Sequence, residues 1–257
     1  MKNVTVGIIG GTHGMGHWFA SLLQREGCVV RVWGRKTAMS IDELVGLCNV
    51  VVVAVQISAT AAMIKKVGPL LREDMLLMDL TSLKKEPVEL MEANTRGEVI
   101  GCHPLFGPTL ADAAGQNVVL CPIRRGKWLS WLKRILNKNG LAIIESNPEE
   151  HDKMMAIVQA LNHLNTITLG IAIAESGVSL SAINKFSTPL FRTKMEIVKK
   201  VFTESPQLYS EIVSKNPAID EMLDLYEKAL ADIRHLIKQG DTAGLKESIE
   251  QAAKRLF

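Results

Sequence analysis

The chain has 257 residues, of which 47% are hydrophobic and 22% are charged. This composition is typical of a folded globular protein and argues against a disordered or collagen-like chain. A chain of this length buries enough surface to form a core without disulfides or a structural metal. The purely apolar runs, such as Val50–Val55, are far shorter than the ~20 residues of a membrane span. We therefore expect a cytoplasmic protein with no membrane partner.

The cysteines and the charge distribution narrow the class of partner. Cys28, Cys48, Cys102 and Cys121 are too far apart for a Cys-x-x-Cys motif, so we expect no metal site. Residues 1–146 carry 17 basic and 12 acidic side chains, whereas residues 147–257 carry 13 and 15. A mildly positive first half suits a small molecule that bears phosphate. It lacks the concentrated basic stripe of a nucleic-acid-binding protein, so no nucleic-acid partner is expected.

The first half alternates short β-rich runs with helical patterns. The predicted strands are Val4–Ile9, Val29–Trp33, Val50–Val55, Met75–Leu80, Glu98–His103, Val118–Cys121 and Leu141–Glu145. The predicted helices between them include Gly14–Glu26, Ser58–Val67, Glu86–Ala93 and Lys127–Lys138. Apolar strands alternating with helices indicate a parallel sheet covered on both faces. We predict an α/β fold, a doubly wound parallel sheet, for residues 1–147.

The pattern changes at Asn147-Pro148. From Glu149 onward the sequence is typical of helices only, and the predicted breaks are Gly177, Pro189, Pro206, Pro217 and Gly240. The helix that runs to about Ala174 is apolar on most faces, which predicts burial on most sides, in part by a partner subunit. We predict an all-helical substrate and dimerisation domain over residues 148–257, and a homodimer formed through it.

A glycine-rich turn joins the first strand to the first helix. Glycines allow close approach of a pyrophosphate, and the helix N-terminus supplies N–H donors and a positive dipole. In the Gly-x-Gly-x-x-Gly register His13 occupies the second glycine position, although the looser spacing of Gly10, Gly14 and Gly16 also fits. We predict a Rossmann-like dinucleotide site. Its expected residues are Gly10, Gly11, Thr12, His13, Gly14, Met15 and Gly16.

The end of the second strand favours NADP over NAD. An NAD site usually places an acid there for the ribose 2′-OH, whereas this chain has Arg35 and Lys36. A guanidinium can stack on adenine and bind a 2′-phosphate with two N–H groups, and Lys36 would add charge. NADP is therefore the preferred cofactor and NAD the alternative. The competing interpretation is that Arg35 and Lys36 form a solvated loop.

Two polar segments, Asp79–Lys84 and Gly101–Pro108, follow the fourth and fifth strands. The carboxyl ends of parallel strands are where open α/β sheets bind ligands. His103 is placed there to act as a base, although a lone histidine is more often structural. Ser82 is as compatible with a helix cap as with a catalytic role.

At these residues the chain resembles the prephenate dehydrogenase family, nearly from end to end. The resemblance includes the glycine turn, Asp79–Lys84, Gly101–Pro108, Glu150–Ala156, Gln159–His163, Ser187–Arg192 and Ser205–Tyr209. The separation of 19 residues between Lys84 and His103 is also similar to the family's. No chorismate mutase or regulatory segment is evident in it, so we expect a dehydrogenase core, either by itself or as one part of a longer protein.

The resemblance implies an NAD(P)-dependent oxidative decarboxylation of prephenate to 4-hydroxyphenylpyruvate and CO2, in tyrosine biosynthesis. It implies that His103 accepts the proton or hydrogen bond of the ring hydroxyl and that Ser82 orients His103 or that hydroxyl. Arg192 would pair with a substrate carboxylate, with Lys84 and His163 as supporting contacts. His151 lies 12 residues before His163, about 18 Å along a helix. We therefore expect it to lie outside the site.

Three alternative functions stay open. Arogenate, in which an amine replaces the side-chain ketone, is an alternative substrate. Another NADP-dependent reductase with a helical second domain would leave the Gly101–Pro108 and Ser187–Arg192 matches as accidents. A dinucleotide-sensing regulator without turnover is the non-enzyme alternative, and the joint presence of Ser82, His103 and Arg192 argues against it.

Overall fold

The computed structural model describes residues 4–110 and 112–257. Residues 1–3, where the predicted first domain begins, and Ala111 lie outside the described residues. Seven strands form one sheet in the order β2-β1-β3-β4-β5-β6-β7. They are β1 Thr5–Ile9, β2 Val29–Trp33, β3 Val50–Val53, β4 Leu76–Asp79, β5 Glu98–Pro104, β6 Asn117–Arg124 and β7 Ala142–Glu145.

The predicted fold class is confirmed, but the sheet is not parallel throughout. Strands β1 to β5 are mutually parallel, whereas β6 pairs antiparallel with β5, and β7 is parallel to β6. Parallel neighbours need a crossover connection, usually a helix. The described part of residues 105–116 forms no helix, and the chain returns alongside β5 in the reverse direction.

Helices cover both faces of the sheet. They are α1 Gly14–Arg25, α2 Ile41–Gly46, α3 Ile57–Val67, α4 Lys85–Asn94 and α5 Lys127–Lys138. One core layer contains Phe19 of α1 and Leu132 of α5, and the other contains Leu44 of α2 and Ile64 of α3. Because both faces are covered, all four residues of β3 are fully buried. This explains why the strands read as continuous apolar runs rather than alternating ones.

The remainder of the chain is helical, as predicted. A single continuous helix runs from Pro148 to Glu175 and comprises α6 Pro148–Met155, a π-helical segment Ala156–Leu161 and α7 Asn162–Glu175. Asn147 caps its start by accepting a hydrogen bond from the backbone N–H of Glu150. The other helices are α8 Leu180–Lys185, α9 Pro189–Thr203, α10 Pro206–Ser214, α11 Ile219–Gln239 and α12 Thr242–Leu256. The five predicted breaks all lie between these helices or at their ends.

A single chain buries only part of the long helix, and its further burial by a partner subunit stays a prediction. Met154, Ile157, Val158 and Ile171 are each about half exposed. Helices α9, α10 and α11 cover only part of its surface. By length and composition alone this helix could cross a membrane, a property that it shares with core helices of many proteins. The exposed apolar side chains leave a surface that another protein chain could cover.

Candidate active site

The glycine turn lies at the carboxyl end of β1, beside the end of β3. This is where the strand order reverses, the usual place for a ligand in an open α/β sheet. Gly10 has φ +88, and a Cβ there would lie 2.3 Å from the carbonyl oxygen of Ala54. A Cβ on Gly16 would lie 2.6 Å from the carbonyl oxygen of Gly10. Both positions therefore require glycine for the turn to close.

The side chain of His13 does not occupy the interior of the glycine turn. His13 is the N-cap residue of α1, it is exposed, and its Nδ1 lies 2.8 Å from Oγ1 of Thr12. Its side chain makes no capping hydrogen bond to α1, and the first turn of that helix carries no acid. A Cβ built on Gly14 would meet nothing within 4 Å, so the space in front of the helix is open. The N-terminal N–H groups of α1 remain available to an anion, and these residues fit a dinucleotide.

Arg35 and Lys36 follow β2 on the same edge of the sheet, and both are exposed. Their turn is closed by hydrogen bonds between Gly34 and Thr37. Neither cation has an ion pair with a described acidic residue. Their positive charge is therefore free to meet a phosphate.

His103 lies at the carboxyl end of β5 and is only 3% exposed. Its Nδ1 is 2.9 Å from Nε2 of His151, which lies in the first helical turns after Pro148. The expectation that His151 lies outside the site is therefore wrong. Its distance from His163 along the helix is real, but the start of that helix packs against β6 and α4, which brings His151 to His103.

Asp152 holds the far side of His151. Its Oδ1 is 2.8 Å from Nδ1 of His151, and its two oxygens accept hydrogen bonds from the backbone N–H groups of Lys84 and Lys85. Those N–H groups belong to the N-terminus of α4, where a carboxylate is favoured. Asp152 therefore caps the N-terminus of α4, which is the structural role that the sequence allowed for Ser82.

Burial sets the protonation of the two histidines. Desolvation holds the pKa of His103 well below its usual value, and the neighbouring His151 and Lys84 lower this pKa further. Desolvation also lowers the pKa of His151, while the hydrogen bond to Asp152 opposes that shift. At neutral pH both rings are uncharged, which is the state that a general base requires.

The π-helical segment brings one more polar side chain to His103. Nε2 of Gln159 lies 3.4 Å from Nε2 of His103, at the long limit of a hydrogen bond. Oε1 of Gln159 is buried and has no hydrogen-bond partner among the described residues. Single π-helical turns inside α-helices occur frequently at functional sites. Gln159 therefore offers an unused acceptor beside Nε2 of His103.

Lys84 lies in the interior rather than on an open surface. Its side chain is fully buried, and Nζ forms an ion pair with Asp79 and approaches Oγ1 of Thr81 at 3.3 Å. Its ammonium group is thus already engaged by protein groups. Lys84 still acts on the site through its charge, which contributes to lowering the pKa of His103.

The three other predicted site residues make no hydrogen bond to His103 within the described residues. Ser82 is half-buried and makes no hydrogen bond to His103 within the described chain. His163 is half-buried on α7, and burial lowers its pKa. Its ring packs edge-on against the ring of Tyr209, with the ring centroids 4.8 Å apart. Arg192 is exposed in the first turn of α9 and has no salt bridge to any described acid. The fold thus brings His103, His151, Asp152 and Gln159 together and leaves Arg192 apart from them in a single chain.

Sequence reasoning missed three members of this cluster. Sequence reasoning placed His151 outside the site, and it included Asp152 and Gln159 only within the segments that resemble the family, with no role of their own. The adjacent His-Asp pair in the first turns of a helix, directly after a capped start, is the signal that could have drawn attention to them.

Two family models match consecutive parts of the chain. The nucleotide-binding domain of prephenate dehydrogenase matches residues 19–145, and its dimerization domain matches residues 147–251. The chain belongs to the prephenate dehydrogenase family. A probable arogenate/prephenate dehydrogenase of Methanocaldococcus jannaschii is 34% identical over 98% of this chain and 61% of its own length. The T-protein of Haemophilus influenzae is 33% identical over 91% of this chain and 63% of its own. The chain thus spans about three fifths of the length of these curated relatives.

Solved structures of the family share the fold. The prephenate dehydrogenase from A. aeolicus, in complex with hydroxyphenyl propionate and NAD+, superimposes with a TM-score of 0.77. It is 21% identical and covers 100% of this chain and 98% of that one. Synechocystis arogenate dehydrogenase has a TM-score of 0.73 at 20% identity and covers 98% of both chains.

Proposed function

We propose that this chain catalyses the NAD(P)-dependent oxidative decarboxylation of prephenate to 4-hydroxyphenylpyruvate and CO2, a step of tyrosine biosynthesis. The observation that carries the proposal is the buried, uncharged imidazole of His103 at the edge of the sheet that also bears the glycine turn. Membership of the prephenate dehydrogenase family supports the class of reaction.

His103 is the proposed base for the ring hydroxyl. Its Nδ1 faces His151, so Nε2 is the nitrogen left to meet a substrate. The O–H bond of the hydroxyl breaks as an N–H bond forms at Nε2, and the hydroxyl carbon becomes a carbonyl. When bound, the oxidised nicotinamide supplies the acceptor for the hydride of that carbon. The C1–carboxylate bond then breaks, and its electron pair makes the ring aromatic as CO2 leaves; the former carbonyl oxygen takes the proton back from His103 and becomes the phenol hydroxyl.

The proposed cofactor site uses the open N-terminus of α1 and the turn of residues 10–16. Its residues are Gly10, Gly11, Thr12, His13, Gly14, Met15 and Gly16. Arg35 and Lys36 support NADP as the preferred form, because both are exposed and unpaired among the described residues. NAD is the alternative. The A. aeolicus relative was solved with NAD+, whereas a Saccharomyces cerevisiae relative is named for NADP(+).

The substrate contacts are proposals as well. Arg192 would form a bidentate pair with a substrate carboxylate, and His163 would line the same site from α7. Ser82 would bind the substrate hydroxyl rather than His103, whose ring nitrogens face His151 and Gln159. Lys84 would favour bound anions through its buried charge.

Organisation and location complete the proposal. Residues 1–147 would act as the dinucleotide-binding domain and residues 148–257 as the substrate and dimerisation domain of a cytoplasmic homodimer. The half-exposed apolar side chains of the long helix support a partner subunit. Arogenate is the second candidate substrate, because its ring is the same and His103 would serve it equally.

The test is an assay of the purified chain with prephenate or arogenate, each with NADP or NAD, following the absorbance of the reduced nicotinamide. Chromatography of the product separates 4-hydroxyphenylpyruvate from tyrosine. We expect turnover with prephenate and NADP, and turnover about 10²- to 10⁴-fold lower in His103→Asn. Turnover with arogenate alone would replace the substrate. Dinucleotide binding without turnover on either substrate would overturn the proposal in favour of a sensing role.

A further inference from the structure

Asp152, His151 and His103 form a continuous chain of hydrogen bonds in the interior. Nδ1 of His151 is 2.8 Å from the Asp152 carboxylate, and Nε2 of His151 is 2.9 Å from Nδ1 of His103. The three residues are 1%, 2% and 3% exposed respectively. Their interactions are therefore with one another rather than with bulk water.

The carboxylate fixes where the protons of this chain lie. A carboxylate oxygen only accepts hydrogen bonds, so Nδ1 of His151 carries the proton and donates to Asp152. Nε2 of a neutral His151 is then an acceptor, and Nδ1 of His103 must donate to it. A neutral His103 has one proton, so its Nε2 keeps a lone pair. That nitrogen points away from His151 and toward Gln159.

We propose that Asp152 and His151 are positioning residues that hold His103 as the Nδ1-protonated tautomer and stabilise its imidazolium form during the reaction. The inference rests on the proposed function of His103 as the base. Sequence reasoning placed His151 outside the site and did not consider Asp152.

The charge balance supports the second part of this role. When His103 receives a proton at Nε2, a positive charge appears on a side chain that is only 3% exposed. The charged groups that face the two rings are Asp79, Lys84 and Asp152. Asp79 and Lys84 form an ion pair with each other, and neither makes a hydrogen bond to the two rings within the described residues. Asp152 is thus the carboxylate that a hydrogen bond through His151 connects to the new imidazolium.

Asp152 is itself held in place on both oxygens. Oδ1 accepts from the N–H of Lys84 at 2.8 Å and Oδ2 from the N–H of Lys85 at 2.9 Å. The carboxylate cannot rotate away from His151 without leaving these donors unpaired. His151 therefore has one favoured ring orientation, and so does His103.

The first test changes His151 and compares kinetics. In His151→Leu we expect kcat to fall about 10²-fold, while KM for prephenate and the Kd for NADP stay within about threefold. His151→Gln should recover about a tenth of the wild-type kcat, because a side-chain carbonyl can accept from Nδ1 of His103. His235→Gln, on the exposed surface of α11, is the matched control and should leave kcat unchanged. An unchanged kcat in His151→Leu would overturn the proposal.

The second test moves the pH profile. In Asp152→Asn the acidic limb of kcat/KM should move to lower pH, because the imidazolium of His103 loses its nearest connected negative charge. A residue that served only to support the fold would lower the amount of active enzyme and leave this limb in place. Asp224→Asn, an exposed change on α11, is the control. An unmoved limb in Asp152→Asn would contradict the charge-stabilising role.

The third test does not depend on turnover. Nitrogen NMR of the 15N-histidine-labelled wild-type chain at neutral pH should show His103 protonated at Nδ1 and unprotonated at Nε2, with its signals assigned by their loss in His103→Asn. The opposite tautomer would overturn the proposal. If the wild-type chain turned over neither prephenate nor arogenate, the proposed function would fail. The tautomer of His103 would still decide whether the chain of hydrogen bonds from Asp152 through His151 to His103 exists.

Discussion

The carboxylate of Asp152 accepts hydrogen bonds from the backbone N–H groups of Lys84 and Lys85, at 2.8 and 2.9 Å. The contact joins the start of the long helix to the N-terminus of α4, across 68 residues of chain for Lys84. The same carboxylate binds His151, the neighbour of His103. One side chain thus couples the packing of two helices to the orientation of the proposed base.

We expect Asp152→Ala to lower the free energy of unfolding by about 1–3 kcal/mol. The change leaves two backbone N–H groups and the His151 ring without their acceptor in a buried site. Urea denaturation of the variant beside Asp224→Ala measures this, since the exposed control should change by no more than about 0.5 kcal/mol. Equal effects in the two variants would mean that the interior contact contributes no more than a surface residue.

His103→Asn should leave NADP binding intact while cutting turnover by about 10²- to 10⁴-fold. The asparagine cannot take a proton from the hydroxyl, and the glycine turn that binds the dinucleotide is unchanged. Binding is measured by titration of protein fluorescence, and turnover by the reduced nicotinamide. Near wild-type turnover would remove His103 from the mechanism.

Stability should fall as the pH is lowered from about 6.5 to 5. Burial lowers the pKa values of His103, His151 and His163 in the folded state, so the unfolded chain binds protons that the native chain does not. Each such proton makes the free energy of unfolding decrease by up to about 1.4 kcal/mol per pH unit. Above about pH 8 all three are neutral in both states, and this dependence vanishes.

The comparison variant for that pH dependence is His103→Asn. Between about pH 5 and 6.5 its free energy of unfolding should change less steeply with pH than that of the wild type. Carboxyl groups with a lowered pKa, such as Glu145, lose their contribution only below the ordinary value of 4.5 and do not interfere. Identical slopes would show that His103 titrates alike in both states.

Arg35→Ala should raise the Kd for NADP at least about tenfold and change the Kd for NAD by less than about twofold. The guanidinium is the group suited to a 2′-phosphate, which NAD lacks. Lys36→Ala should have a smaller effect in the same direction, because an ammonium does not offer a bidentate pair. Equal losses for both dinucleotides would return Arg35 to a solvated loop.

The wild-type chain should be a dimer at micromolar concentration, and Phe186→Glu should make it a monomer. Phe186 is 89% exposed and lines an apolar groove of about 480 Å³ together with Val178, Ile183 and Phe191. A charge there would be buried by a partner subunit at high cost. Leu47→Glu, at a half-exposed site after α2, should stay dimeric, and light scattering distinguishes the two. A monomeric wild type would contradict the proposed assembly.

Features that depend on neighbouring residues were predictable from the sequence. The strands of the first half are continuous apolar runs, and the long helix begins at the predicted Asn147 cap. The turn of residues 10–16 could be assigned because strand, glycines and helix follow one another directly. The position of His103 at a strand end followed from the same local pattern.

Tertiary structure alone decided the rest. The reversal of β6 depends on how residues 105–116 leave the sheet, and the exposure of the long helix depends on how few helices pack against it. His151 meets His103 across 48 residues of chain because the start of its helix docks on the carboxyl edge of the sheet. Spacing along one helix correctly separates His151 from His163, but it carries no information about a contact made across that helix to another element. Such a contact is set by packing between distant segments, which local periodicity does not encode.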